Sequence, residues 1–135
     1  MYHRETSMEE LSKPISRALE ELKENLSEVA RVSEWCELMG YNSVQNFTYH
    51  FIKYYGDRPH KYLVYIRLES IISELRNNCK SNLQIARDHS LPEEKALNNF
   101  TNYYLGHSPT DLKRMQEMEL RSVLNNSFSD IQEQF

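Results

Sequence analysis

The sequence predicts an all-helical fold, two helix-turn-helix subdomains joined by a long connecting helix, and three observations carry that expectation. Glycine occurs only three times in 135 residues, β-branched runs are short, and Glu, Leu, Lys and Arg are abundant, a balance that favours helix over sheet. Apolar residues recur at steps of three and four in several stretches. The chain also matches itself, without a gap, when shifted by 50 positions. Trp35 falls on Ile85, Cys36 on Ala86, Gly40 on Ser90, Tyr41 on Leu91, Phe47 on Leu97, Tyr54 on Tyr104, Gly56 on Gly106 and Pro59 on Pro109. Apolar, turn and Gly-x-x-Pro positions that recur together at one offset mark two copies of one unit.

Residues 1 to 7 read as a frayed lead. Ser7-Met8-Glu9-Glu10 has capping-box spacing, and Ser12 followed by Pro14 is a second helix start. From there Leu11, Ile15, Ala18, Leu22, Leu26 and Val29 form a stripe, which predicts an amphipathic helix of about five turns. Its expected task is to cover the core of the first lobe. Because the stripe is nearly heptad-like, a dimer contact through residues 11 to 29 is the alternative to the expected monomer.

Residues 32 to 63 hold the first motif. Trp35, Cys36 and Met39 give a short apolar stripe, Gly40 supplies a turn, and Phe47, Phe51 and Tyr54 follow at i, i+4 and i+7 and are expected to face inward. Gln45, Asn46, Tyr49, His50 and Lys53 are left on the opposite side, and such side chains read base edges. Gly56-Asp57-Arg58-Pro59 then punctuates the chain, with Pro59 in the first turn of a new helix. Leu63, Ile66, Leu68, Ile71, Ile72 and Leu75 are apolar over more than one face, as in a rod gripped at both ends, and Asn77-Asn78 ends it.

In the second copy, Thr101 stands where the first has Phe51, with Phe100 next to it as a replacement if the helix rotates slightly. Past Pro109, Leu112, Met115, Met118 and Leu120 predict a closing helix to about Leu124, broken by Asn125-Asn126-Ser127. Residues 128 to 135 then read as a polar tail carrying Phe128, Ile131 and Phe135. The expected division is residues 1 to 63 for the leading helix and first lobe, 59 to 78 for the connecting helix, 79 to 124 for the second lobe and 125 to 135 for the tail.

The first motif resembles the DNA-binding unit of the AraC/XylS family of bacterial transcription regulators. The family's apolar-Ala pair, Gly-Phe turn, two Phe four apart, and Gly-x-x-Pro with a following aromatic meet Trp35-Cys36, Gly40-Tyr41, Phe47, Phe51, Gly56, Pro59 and Tyr62. Cys36 replaces the usual Ala and Tyr41 the usual Phe, and Arg67-Leu68 matches a pair in the family's connecting helix. The second copy departs further, with Ser90-Leu91 in place of Gly-Phe. The resemblance covers roughly residues 15 to 115. It implies homeodomain-like lobes and a regulator that binds double-stranded DNA by placing one or both second helices in the major groove. RNA polymerase or a separate effector domain would be its further partners, and the chain is expected to be either a short stand-alone member or the DNA-binding part of a larger regulator.

On that resemblance Gln45 and Asn46 would bond an adenine edge, while His50 and Lys53 would reach a guanine edge or a phosphate. Ser43 and Tyr49 belong to the same contact set, and Arg58 and Lys61 would meet the DNA backbone. Lys95, Asn99 and Tyr103 are the matching outer positions of the second copy. Glu93 and Glu94 there would face phosphates with the wrong sign, so the first copy is expected to dominate.

Charge opposes this reading. The formal net charge is −4, from 16 basic and 20 acidic residues, without the basic excess of a strong electrostatic DNA binder. Residues 32 to 78 are balanced, five against five. A degenerate AraC-like helical module that binds a protein is the rival expectation. No phosphate loop, Cys-x-x-Cys pair or His-Glu zinc helix is present, and neither an enzyme nor a cofactor is expected. The histidines His3, His50, His60, His89 and His107 lack metal spacing and are expected at the surface, solvated or hydrogen-bonded, with His50 on the outer face of the motif. Cys36 reads as a buried thiol, and Cys36 and Cys79 together suit a reducing cytoplasm. No apolar run approaches the roughly 18 residues of a membrane span.

Overall fold

The computed structural model describes residues 12 to 132, with side chains to residue 128. Every regular element among them is helical. The chain divides into two compact units, Met1–Leu63 and Val64–Phe135.

In the first unit a 3-10 turn, Ile15–Arg17, leads into α1 (Ala18–Lys23), followed by α2 (Val32–Met39), α3 (Val44–Tyr55) and the first turn of α4 (Pro59–Asn77). The five-turn leading helix is not formed, because α1 stops at Lys23. Asn25 turns its side-chain Nδ2 back onto the Glu21 carbonyl at 2.7 Å, and its own N–H donates three residues back to Leu22. A side-chain amide that captures the backbone in this way competes with the α-helical ladder and tightens the last turn. Ala18, Leu22, Leu26 and Val29 are nevertheless all buried. Ser7 to Glu10 and Leu11 lie outside the described residues.

The core of this unit is aromatic. Trp35 is fully buried, its ring edge-on to Phe47 (5.4 Å) and Phe51 (5.1 Å), and its Nε1–H donates to the Ala18 carbonyl at 3.0 Å. Cys36 is buried, as expected. On α3 the inward residues are Phe47, Phe51 and Tyr55, and Tyr54, expected inside, is 58% exposed. The hydroxyl decides between the two tyrosines: Tyr55 donates to the Ile15 carbonyl at 2.9 Å, so its phenol is buried with a partner. Tyr55 also accepts, at its carbonyl, the hydroxyl of Tyr62 from the first turn of α4.

The second unit contains the rest of α4, then α5 (Asn82–Asp88), α6 (Glu94–Leu105), α7 (Pro109–Arg114) and α8 (Glu117–Gln132). Asn78 adopts a positive φ of 60° past the end of α4, the stop expected of the Asn pair. The single closing helix is two helices instead. Met115 is extended (φ −63°, ψ 148°), and Arg76 explains why: its Nη1 donates to the carbonyls of Leu112 (3.0 Å) and Met115 (2.6 Å). The guanidinium satisfies oxygens that would otherwise need a continuing helix. Asn125, Asn126 and Ser127 do not break α8, which kinks at Phe128 (φ −139°, ψ 36°). Phe128 is buried with its ring 5.2 Å from Tyr65, whereas Met118 is exposed. Ile131 and Phe135 lie outside the residues whose side chains are described.

Candidate nucleic-acid interface

The two turns are built alike, bond for bond. After α2, Gly40 sits at φ 83° and the Tyr41 N–H donates five residues back to Cys36; after α5, Ser90 sits at φ 64° and the Leu91 N–H donates to Ala86. Ser90 therefore takes the left-handed conformation that glycine takes without strain, and the second turn is kept despite its sequence.

The second helices differ at their start and in the middle. Ser43 caps α3 by accepting the Asn46 N–H on its Oγ at 3.0 Å, whereas Glu93 precedes α6 with no side-chain cap. Leu97, Thr101 and Leu105 face inward on α6, with Thr101 fully buried. The helix has thus not rotated to bring Phe100 into the place of Phe51. Phe100 instead lies beneath the Arg67 guanidinium, 4.6 Å from its ring centre. Arg67 is itself buried and donates from Nη2 to the His89 carbonyl at 2.7 Å, so one side chain of α4 holds both the turn and the second helix of this motif.

His89 is not a solvated histidine. It is buried, with Nδ1 2.7 Å from the Ile85 carbonyl and Nε2 2.7 Å from the Ser70 hydroxyl. A carbonyl only accepts, so Nδ1 carries the proton and Nε2 accepts from Ser70 when the ring is neutral. Burial holds the imidazole below its ordinary value, with Arg67 adding to the effect and the Ile85 carbonyl, Glu74 and Asp88 opposing it. The unfolded chain then binds the proton more readily, so the stability tied to neutral His89 is fully present above about pH 6.5 and is lost as pH falls below it. The urea midpoint should therefore fall between about pH 7.5 and 5.5, and His89→Gln should remove part of that fall. Equal pH slopes in the two proteins would contradict the assignment.

The anticipated contact residues of the first motif are exposed together on α3. Gln45, Tyr49 and Lys53 stand at i, i+4 and i+8, and Asn46 and His50 beside them. Tyr49 lies edge-on to His50 at 5.2 Å, and the Lys53 Nζ is 5.5 Å from the Tyr49 ring centre. Ser43 is exposed but spends an oxygen lone pair on the cap. Arg58 is exposed, whereas Lys61 is half-buried and paired with Asp57 at 3.1 Å. Those contacts hold the Asp57 carboxyl below its ordinary value, led by the Arg58 N–H. On α6, Lys95, Asn99 and Tyr103 are all exposed, Tyr103 by 80%. Sequence reasoning left out the exposed Val44, Ile52 and Tyr54 of α3 and Asn98 and Asn102 of α6. For Tyr54 the available signal was its neighbour, a second tyrosine able to take the inward place.

Ion pairing sorts the cations of the first unit. Lys13, Arg17, Arg31 and Lys61 each face a carboxylate, at 2.8, 3.1, 3.5 and 3.1 Å. Lys53 and Arg58 form no ion pair among the described residues. The charge that remains uncommitted at these two positions lies at the end of α3 and just before α4.

No family model matches the chain, and no curated protein matches it. Among solved structures it is similar to the crystal structure of the DNA-binding domain of AdpA, described as the global transcriptional factor, in complex with a target DNA. The TM-score is 0.62 and the identity 22%, over 76% of this chain and 91% of that one. At this identity the likeness is one of fold, and the described residues have the all-helical, helix-turn-helix fold of a DNA-binding domain.

Proposed function

We propose that the chain is a sequence-specific, double-stranded DNA-binding transcription regulator of AraC/XylS type in which the first helix-turn-helix dominates base reading. The observation that carries this reading is the exposed strip of α3, Gln45, Asn46, Tyr49, His50 and Lys53, flanked by Arg58, which forms no ion pair among the described residues. A second helix entering the major groove would turn such a strip to base edges, with Ser43, Lys53, Arg58 and Lys61 toward phosphates. Lys95, Asn99 and Tyr103 would be auxiliary contacts, because Glu93 and Glu94 at the start of α6 repel the DNA backbone. RNA polymerase or a separate effector domain, and a cytoplasmic setting, accompany this function. No described helix is long and apolar enough to cross a membrane.

A helical module that binds a protein is the second reading, favoured by exposed Glu93 and Glu94 beside an 80% exposed Tyr103. Titrations on a duplex selected from a random library and on its scrambled counterpart, at two salt concentrations, separate the two. Replacing Lys53 or Arg58 by Ala should weaken both duplexes alike and lower the salt slope by about 1 each. Glu93→Gln with Glu94→Gln should tighten binding with little change in sequence choice. Equal wild-type affinity for both duplexes, or no binding at low salt, would favour the protein-binding module instead.

A further inference from the structure

We propose that the first reading helix selects A·T base pairs, with Gln45 and Asn46 on adenine edges and Tyr49 against a thymine methyl group. This rests on the DNA-binding reading above and names the base class of its target.

In a helix-turn-helix, the N-terminal part of the second helix meets the base edges. The exposed residues there on α3 are Val44, Gln45, Asn46 and Tyr49. Neither amide side chain, Gln45 or Asn46, forms a hydrogen bond among the described residues, so each keeps both its donor and its acceptor. That pair of functions matches the N7 acceptor and N6 donor of adenine, which Asn and Gln bond in a bidentate manner. Guanine offers two acceptors and is matched by a cation, most often arginine. The twelve residues of α3 contain no arginine. Their one lysine, Lys53, lies about 10 Å along the axis from Asn46, with its ammonium beside the Tyr49 ring, and His50, the other side chain able to reach guanine, lies a turn past Asn46 with its ring against Tyr41 and Tyr49. Val44 and the Tyr49 ring add the apolar surface that a thymine methyl meets.

The second helix has different chemistry. Asn102 Nδ2 donates to the Asn98 backbone carbonyl (2.8 Å) and to Asn98 Oδ1 (3.3 Å), so the donor of one amide and the acceptor of the other are engaged. Glu94 offers a carboxylate, which only accepts and so cannot also donate to the N7 of adenine. At the places of Gln45 and Asn46 the second copy has Lys95 and Ala96, so the A·T selection is assigned to the half-site of α3.

The test uses the full chain and base analogues in a selected duplex. In the α3 half-site, 7-deazaadenine removes the N7 acceptor and uracil removes the thymine methyl. The half-site should be A·T-rich. One 7-deazaadenine should weaken wild-type binding roughly 5- to 150-fold and should do nothing further to Gln45→Ala/Asn46→Ala. Uracil should weaken wild type but leave Tyr49→Ala indifferent. A G·C-rich half-site, or indifference of wild type to both analogues while it still binds duplex, overturns the proposal. No binding to any duplex at low salt removes instead the DNA-binding reading beneath it. The analogue measurements on wild type need no variant to fold.

Discussion

Trp35→Ala should destabilise the protein by about 3–5 kcal/mol, the range for deleting a buried aromatic side chain. The indole is fully buried and meets Phe47 and Phe51 edge-on, so its loss opens a cavity lined by rigid rings that cannot close over it. It also removes the Nε1–H donor and leaves the buried Ala18 carbonyl without that partner. Trp35→Phe divides the two effects, because it keeps most of the ring contact and loses the donor, and it should cost about 1–3 kcal/mol. Urea denaturation followed by circular dichroism measures both. A cost below about 1 kcal/mol for the alanine variant would mean that the indole does not fill the core of the first unit.

Much of this fold could be read from the sequence because its signals are local and repeated. The 50-residue offset placed α3 and α6 on each other residue for residue, and the structure repeats even the backbone bonds at Tyr41 and Leu91. The stop at Asn78 and the start at Pro59 were visible for the same reason, since each is set by the backbone chemistry of one residue. The differences arise where a side chain finds a distant partner. Tyr54 and Tyr55 are indistinguishable in pattern, and the Ile15 carbonyl 40 residues earlier chose between them. His89 was expected at the surface, solvated or hydrogen-bonded, but it is buried, with Ser70 and the Ile85 carbonyl as partners of its two ring nitrogens. The end of α1 and the gap between α7 and α8 follow from Asn25 and Arg76 capturing carbonyls, which no periodicity reveals.

The candidate interface was less legible than the fold. Its residues are the ones that remain when the inward face is subtracted, and that subtraction gives exposure but not commitment. Whether a polar side chain is free to meet a ligand depends on its neighbours. Lys61 is paired with Asp57, and Asn102 donates to Asn98, whereas the side chains of Gln45, Asn46 and Arg58 have no partner among the described residues. The net charge of −4 is equally uninformative about any one surface, because a whole-chain sum does not record which charges are already paired in place.

Ile71→Ala should cost about 2–5 kcal/mol, in the upper part of that range, because α4 is the helix around which the second unit is assembled. Within that unit each other helix or its connecting turn is tied to α4 by a different side chain. Ser70 meets His89 after α5, Arg67 lies on Phe100 of α6, Arg76 holds the carbonyls ending α7, and Tyr65 packs on Phe128 of α8. Ile71 is fully buried in the middle of that set and Leu75 nearly so. A cavity at Ile71 is hard to collapse, since a neighbour that moves in to fill it must break the tie that positions it. Leu75→Ala should fall in the same range, while Ile71→Val, which removes a single methyl group, should cost about 0.5–1.5 kcal/mol. Ser73→Ala, an exposed change on the same helix, should stay within about 0.5 kcal/mol and serves as the control for helix propensity. Urea denaturation of the four variants gives the comparison. If Ile71→Ala and Leu75→Ala cost no more than Ser73→Ala, α4 is solvated along this length and does not form the core of the unit.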